Sequence, residues 1–218
     1  MGNTPSSREL ILADVAGAVA AHAGAPLQPL PAAARFEPRK AEVLDKEIER
    51  MLGEVKRVSG HGRRVHGREE FAAALKQIIG DEGIRTASLS DHPLHSHYGT
   101  EALLKGLKIE IVSLGNDARN LADCDLGITV ADAALPETGT VLLRTTQGQP
   151  DALSLLPRVH LALITPAAFQ ADLHQVFALA KGDRHFELVT GCSRTADIEK
   201  VLTLGVHGPK SYHLWICD

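Results

Sequence analysis

From residue 39 onward the hydrophobic period of the chain switches repeatedly between helical and extended, and that alternation restricts the fold more than any other feature. A helical run carries Val43, Leu44, Ile48, Met51 and Leu52, spaced as one face of a helix. At Gly53 the period becomes extended, and "EVKRV" reads as a short strand. A helix around "REEFAAALKQII", a strand "IRTASLS", a helix around "TEALLKGL" and a strand "KIEIVSL" follow. Repeated β-α alternation implies a mostly parallel sheet flanked by helices, a doubly wound, Rossmann-like α/β layout. In such folds ligands bind beyond the carboxyl ends of the strands.

The second half changes character. "LGITVADAAL" and "GTVLLRTT" lie close enough in sequence to be neighbouring strands, "VHLALI" reads as a buried strand, "PAAFQADLHQVFALA" as a helix and "FELVTG" as a strand. "YHLWIC" is expected to close the sheet. Ahead of this domain, residues 8–23 place Leu10, Ile11, Val15, Ala18 and Val19 at helical spacing. Pro26, Pro29, Pro31 and Pro38 then fix backbone angles and remove amide donors, which predicts an extended linker. The organisation expected is therefore a helix and Pro-rich linker over 1–38 and one domain over 39–218, with the helix an arm that joins two copies into a homodimer.

Composition narrows the function classes. The formal net charge is -4, and Lys and Arg are scattered, so the chain lacks the basic patch of a nucleic-acid binder. No apolar run approaches the roughly 18 residues of a membrane span, and Glu9 and Asp14 interrupt the start where a signal peptide is apolar, so a cytoplasmic location is expected. Cys124, Cys192 and Cys217 stand apart with no C-x-x-C. They provide neither a disulfide framework nor the four thiolates of an iron-sulfur cluster, and the cofactor, if any, is unknown.

Three stretches can carry chemistry. In "ADAALPETGT", Gly139 can take a positive φ and present Glu137 and Thr138 on a tight turn, where a carboxylate can serve as base or nucleophile or simply be solvated. In "SRTADIE", Ser193 or Thr195 reads as an N-cap, and Asp197 and Glu199 help to open a helix. Arg194 is out of place at a positive helix end unless an anion joins it. In "GVHGP", Gly205 reads as a helix C-terminus, Gly208 and Pro209 as a turn, and His207 as a proton carrier or a donor to an acidic ligand. A fourth stretch, "SDHPLHSHYG", gathers His92, His95 and His97, but Pro93 and the H-x-x-H-x-H spacing do not bring three imidazoles to one helix face. It reads as a surface loop, and no metal site is expected.

"LGITVADAALPETGTVLL", "SLLPRVHLALI" and "SRTADIEKVLTLGVHGPKSYHLWICD" together resemble the lactate-utilisation protein C family, whose shared unit is the LUD domain. The resemblance covers residues 39–218. It implies a fold like that of the glucosamine-6-phosphate isomerase, ribose-5-phosphate isomerase and CoA-transferase superfamily. It also implies a role beside iron-sulfur partner proteins that oxidise L-lactate to pyruvate. The chain departs from the family at Cys192, where a proline is usual, at Pro136, where an alanine is usual, and in "QGQPDAL", where an arginine is usual.

The expected site is a small-organic-anion pocket at the strand ends. Glu137 and His207 would move a proton, and Thr138, Gly139, Ser193, Arg194, Thr195, Asp197 and Gly208 would bind. Two alternatives stand beside it. One is a non-catalytic assembly subunit. The other is a sugar-phosphate isomerase or CoA-transferase-like enzyme with Glu137 as base or nucleophile.

Overall fold

The computed structural model describes residues 6–23, 39–115, 118–183, 185–196 and 202–218. The chain divides into two compact units, Met1–Glu37 and Pro38–Asp218.

In the first unit α1 (Ser7–His22) opens on a capping box. The Ser6 backbone N–H donates to Glu9 Oε2 at 2.7 Å, and the Ser6 hydroxyl accepts the Glu9 N–H. Leu10, Ile11, Leu12, Val15 and Val19 are exposed, and alanines fill much of the remaining circumference, so the helix is not sharply divided into an apolar and a polar face as expected. The Pro-rich linker, 24–38, lies outside the described residues.

The second unit opens with α2 (Leu44–Arg57), β1 (His61–Val65), α3 (Gly67–Glu82) and β2 (Thr86–Leu89). Then come α4 (Pro93–Tyr98), α5 (Thr100–Gly106), β3 (Glu110–Ile111), β4 (Leu126–Val130), β5 (Ala133–Leu135) and β6 (Thr140–Arg144). The rest comprises α6 (Ala152–Leu155), β7 (Val159–Ile164), α7 (Leu173–Leu179), β8 (Phe186–Val189), β9 (Arg194–Ala196), β10 (Leu202–Leu204) and β11 (Ser211–Cys217). Six strands form one sheet in the order β1-β11-β7-β4-β2-β3. Each of its pairings is parallel. The α/β layout read from the alternation is therefore the observed one.

The sheet is covered on both faces. One face packs Leu126, Ile128, Leu161 and Trp215 against Phe71 and Leu75 of α3, Tyr98 of α4 and Leu104 of α5. The other packs Leu214, Ile216 and Ile164 against Ile48, Met51 and Val55 of α2 and against Val141 and Leu143 of β6. A second sheet, β5-β6-β8, is antiparallel.

Four sequence readings are corrected. "EVKRV" is helical, because continuing α2 through Gly53 buries Val55 completely and pairs Arg57 with Glu54, a return that exceeds the ~1 kcal/mol cost of a helical glycine. The strand starts only at His61, after Ser59 turns the chain at φ 64°. "YHLWIC" does not close the sheet but lies inside it, since its alternate residues are buried on both faces. "PAAFQADLHQVFALA" is broken: Pro166–Ala168 is a 3₁₀ turn, and Asp172 caps a separate α7 by accepting the Gln175 N–H at 3.0 Å. "LGITVADAAL" is two strands in different sheets, β4 in the parallel one and β5 paired with β6.

Candidate functional site

The β5–β6 turn behaves as its sequence suggests. The Thr138 N–H donates to the Leu135 carbonyl at 3.3 Å, and Gly139 has φ 67°. A Cβ at Gly139 would lie 2.9 Å from the Val55 nitrogen, so packing on α2 excludes a side chain as firmly as the backbone angle does. Glu137 and Thr138 are exposed. Thr138 Oγ1 meets Thr140 Oγ1 at 2.7 Å, and Thr140 Oγ1 meets Thr190 Oγ1 at 2.7 Å. This hydroxyl chain ties the turn to the segment that enters the second motif.

The second motif is not a helix start. Arg194–Ala196 is β9, paired antiparallel with β10, with Arg194 opposite Leu204 and Thr195 opposite Thr203. An N-cap at Ser193 would require its carbonyl to accept an N–H four residues on. Instead that carbonyl accepts the Gly205 N–H at 2.9 Å, while the Ser193 N–H donates to the Pro209 carbonyl at 3.0 Å. Gly191, at φ 73°, lies so close to Val58 that an added Cβ would sit 2.8 Å from its carbonyl oxygen. With both ends of the segment tied, residues 194–196 and 202–204 pair as a hairpin. Arg194 is thus an exposed strand residue without the helix-end field, and among the described residues no carboxylate pairs with it. Asp197 and Glu199 lie outside the described residues.

The third motif joins the second. A Cβ on Gly208 would lie 3.1 Å from Ser193 Cβ, so the two loops pack directly. Gly205, read as a helix end, has the positive φ of 73° but follows a strand. His207 and Gly208, with Leu155, Leu156, Arg158, Gly205, Val206 and Lys210, line a cleft of about 600 Å³. This cleft lies before Val159 of β7 and Ser211 of β11, at the amino ends of the parallel strands. The carboxyl-end position anticipated from the fold class is therefore corrected: the motif feeds the start of β11.

Sequence reasoning missed the cations of this cleft, Arg158 and Lys210. Arg158 Nη2 donates to the Glu82 carbonyl at 2.8 Å, and its guanidinium lies 3.4 Å from the carboxylates of Glu82 and Asp125. Burial opposes the Asp125 charge, but the N–H groups of Arg85 and Thr86 and the Arg158 guanidinium outweigh it and hold the carboxyl below its ordinary range. Lys210, whose N–H donates to the Arg158 carbonyl at 2.8 Å, is exposed, and among the described residues its ammonium has no ion pair.

At the carboxyl ends stands a different group. "SDHPLHSHYG" is not a surface loop, because Pro93 opens α4 and its three imidazoles divide their work. His92 Nδ1 accepts the Leu94 N–H at 3.1 Å, His97 meets the Tyr98 ring edge-on at 4.9 Å, and His95 is buried. His95 Nε2 lies 3.0 Å from Ser90 Oγ, and its Nδ1 is buried without a partner among the described residues. Burial, helped by His92, pushes the His95 pKa down to about 4, so it is neutral at pH 7. Ser90, Asp91, His92, His95 and Glu101 line a cleft of about 310 Å³ beyond β2 and β3. The available signal was position: these residues directly follow a predicted strand, where the fold class binds ligands. In "QGQPDAL", Gln149 Oε1 accepts the Val130 N–H at 2.9 Å and Asp151 caps α6, so the run that replaces the usual arginine serves the fold.

A doubly wound parallel sheet with an appended antiparallel sheet and a cleft at its amino ends defines the class: an α/β domain of the Rossmann-like type. Residues 48–216 match the model of the LUD domain, and the chain belongs to that family. It is 29% identical over 147 residues to lactate utilization protein C of Halalkalibacterium halodurans, which covers 62% of this chain and 64% of that protein. It is 29% identical over 167 residues to the protein of the same name from Geobacillus thermodenitrificans, covering 68% and 70%. A DUF162 family protein of Deinococcus radiodurans has the same fold, with a TM-score of 0.61 at 16% identity, over 82% of this chain and all of that one.

Proposed function

We propose that this chain is a component of a lactate-utilisation system and holds a small organic anion in its amino-end cleft, beside iron-sulfur partner proteins that carry the electrons. The lactate setting is taken from the names of its relatives. The observation that carries the anion reading is the Lys210 ammonium, unpaired among the described residues, beside His207 and Arg158 in one cleft. Lys210 would bind a carboxylate, and His207 would donate a hydrogen bond or move a proton. Gly208 and Ser193 would shape the wall, while Arg194 and Thr195 on the adjoining hairpin would add a further cation and a hydroxyl. Glu137, Thr138 and Gly139 would not share this cleft. They belong to the turn held against α2, so the single pocket joining all the predicted residues divides into two places.

The test is calorimetric titration of L-lactate, pyruvate and inorganic phosphate into wild type, Lys210→Ala and Arg194→Ala. Loss of one charge-assisted contact would weaken binding roughly tenfold or more. Equal binding by all three proteins would end the reading.

A second reading, the non-catalytic assembly subunit, has its own support. Leu202, Leu204 and Val206 are 60%, 38% and 52% exposed on the hairpin and loop beside the cleft, the composition of a partner contact. It predicts that Leu202→Glu abolishes co-purification with the iron-sulfur partners while anion titrations stay flat.

A further inference from the structure

Outside the linings of both clefts, Asp151, His185 and Glu187 each present a ligand atom, all within 4.8 Å of one another, and they are the one such trio among the described residues. We infer that this trio is a binding site for a divalent transition-metal ion of the zinc or manganese type.

The backbone places the three side chains without help from the ion. His185 directly precedes β8 and Glu187 is its second residue, and the two-residue spacing along extended backbone turns both to one side. His185 is anchored there by its carbonyl, which accepts the Thr145 N–H at 3.3 Å. Asp151 comes from the opposite side, as the cap of α6, with Oδ1 accepting the Ala152 N–H at 2.9 Å. That leaves Oδ2, which lies 3.7 Å from His185 Nε2. Glu187 Oε2 accepts a hydrogen bond from the buried Ser154 hydroxyl, which leaves Oε1. Asp151 Oδ2, Glu187 Oε1 and the His185 imidazole are thus left for an ion, while a backbone N–H and a hydroxyl orient the two carboxylates.

Charge points the same way. Two carboxylates share this space, and among the described residues no Lys or Arg lies within ion-pair distance of either. Beyond the His185 imidazole, nothing among the described residues supplies a balancing positive charge there. A dication would supply that charge at the point where the three atoms converge. One imidazole with two carboxylates suits zinc or manganese better than calcium or magnesium, which prefer all-oxygen shells. Metal bonds of about 2.0–2.2 Å require the three atoms to draw together modestly. The exposed His185 ring can make that movement, and the open side leaves positions for water.

The experiment is calorimetric titration of the untagged, chelator-stripped full chain with zinc and with manganese. Wild type, His185→Ala, Glu187→Gln and His92→Ala are compared, each checked for an unchanged circular dichroism spectrum. The expected result is one equivalent bound by wild type and His92→Ala, and roughly tenfold or greater weakening in the other two. Absence of stoichiometric binding by wild type overturns the site. So does unchanged affinity in His185→Ala or Glu187→Gln, or a loss confined to His92→Ala.

Discussion

Two buried histidines make the fold sensitive to mild acid. His160, the second residue of β7, is fully enclosed; its Nε2 meets Thr129 Oγ1 at 2.8 Å and its Nδ1 has no partner among the described residues. Burial pushes its pKa from 6.5 down to about 3, and that of His95 down to about 4. A folded pKa below the unfolded one gives stability that is complete above pH 6.5 and is lost as pH falls towards the folded value. Integrating the linkage from pH 8 to pH 5 gives about 2 kcal/mol for each ring and about 4 kcal/mol together, a large share of the ~5–15 kcal/mol typical of a domain. Depressed carboxylates such as Glu47, Glu82 and Asp125 lose their contribution only as pH falls below about 4.5, and the raised Glu187 acts with the opposite sign near that value. The interval from pH 8 to 5 therefore isolates the imidazoles, including His213, whose pKa burial also lowers and which adds to the fall. Urea denaturation at half-unit pH steps is expected to show the fall, and His160→Gln, which keeps a partner for Thr129 without a proton to bind, should remove about 2 kcal/mol of it. Stability at pH 5 within about 1 kcal/mol of that at pH 8 would refute the reasoning.

Gly127→Ala is expected to cost about 1–3 kcal/mol, because its Cβ would lie 2.1 Å from the Leu153 carbonyl oxygen, which is backbone and cannot rotate away. Gly53→Ala, with nothing within 4 Å of the added carbon, should instead stabilise by about 0.5–1 kcal/mol, and thermal melts of the two variants check both signs. If the N-terminal helix joins two copies, deleting residues 1–37 lowers the mass in solution from a dimer to a single chain; an unchanged mass removes that proposal.

The parallel sheet was legible because β4 and β7 are short apolar runs buried at every position, whereas β1, with two arginines, was not read as a strand. Position within the sheet was less legible. "YHLWIC" comes last in the sequence, yet Tyr212, Leu214 and Ile216 face one layer while Trp215 and Cys217 face the other. Burial on both faces favours an interior strand, and the run from Leu214 to Cys217 offered that hint, but the pairing with both β1 and β7 decides it. The end of α2 was not available in the same way, since only the burial of Val55 reveals why Gly53 fails to stop the helix.

The hairpin at 194–204 shows why the site was harder to read than the fold. "VLTL" suits a helix as well as a strand, and a short apolar run cannot be settled by period alone. What settles it is remote: the Ser193 backbone is committed to Gly205 and Pro209 on the far side of the turn. Once those bonds form, the hairpin must lie where β11 begins, which places His207 and Gly208 at the amino ends and sets Arg194 on an open strand. The same geometry changes what Arg194 can do. At a helix start it would have reinforced an existing positive field; on a hairpin beside Leu204 it offers a single mobile charge to a ligand or to a partner's carboxylate. Its contribution to anion binding should therefore fall steeply with added salt, whereas a ligand gripped by backbone N–H groups at a helix end would be screened less.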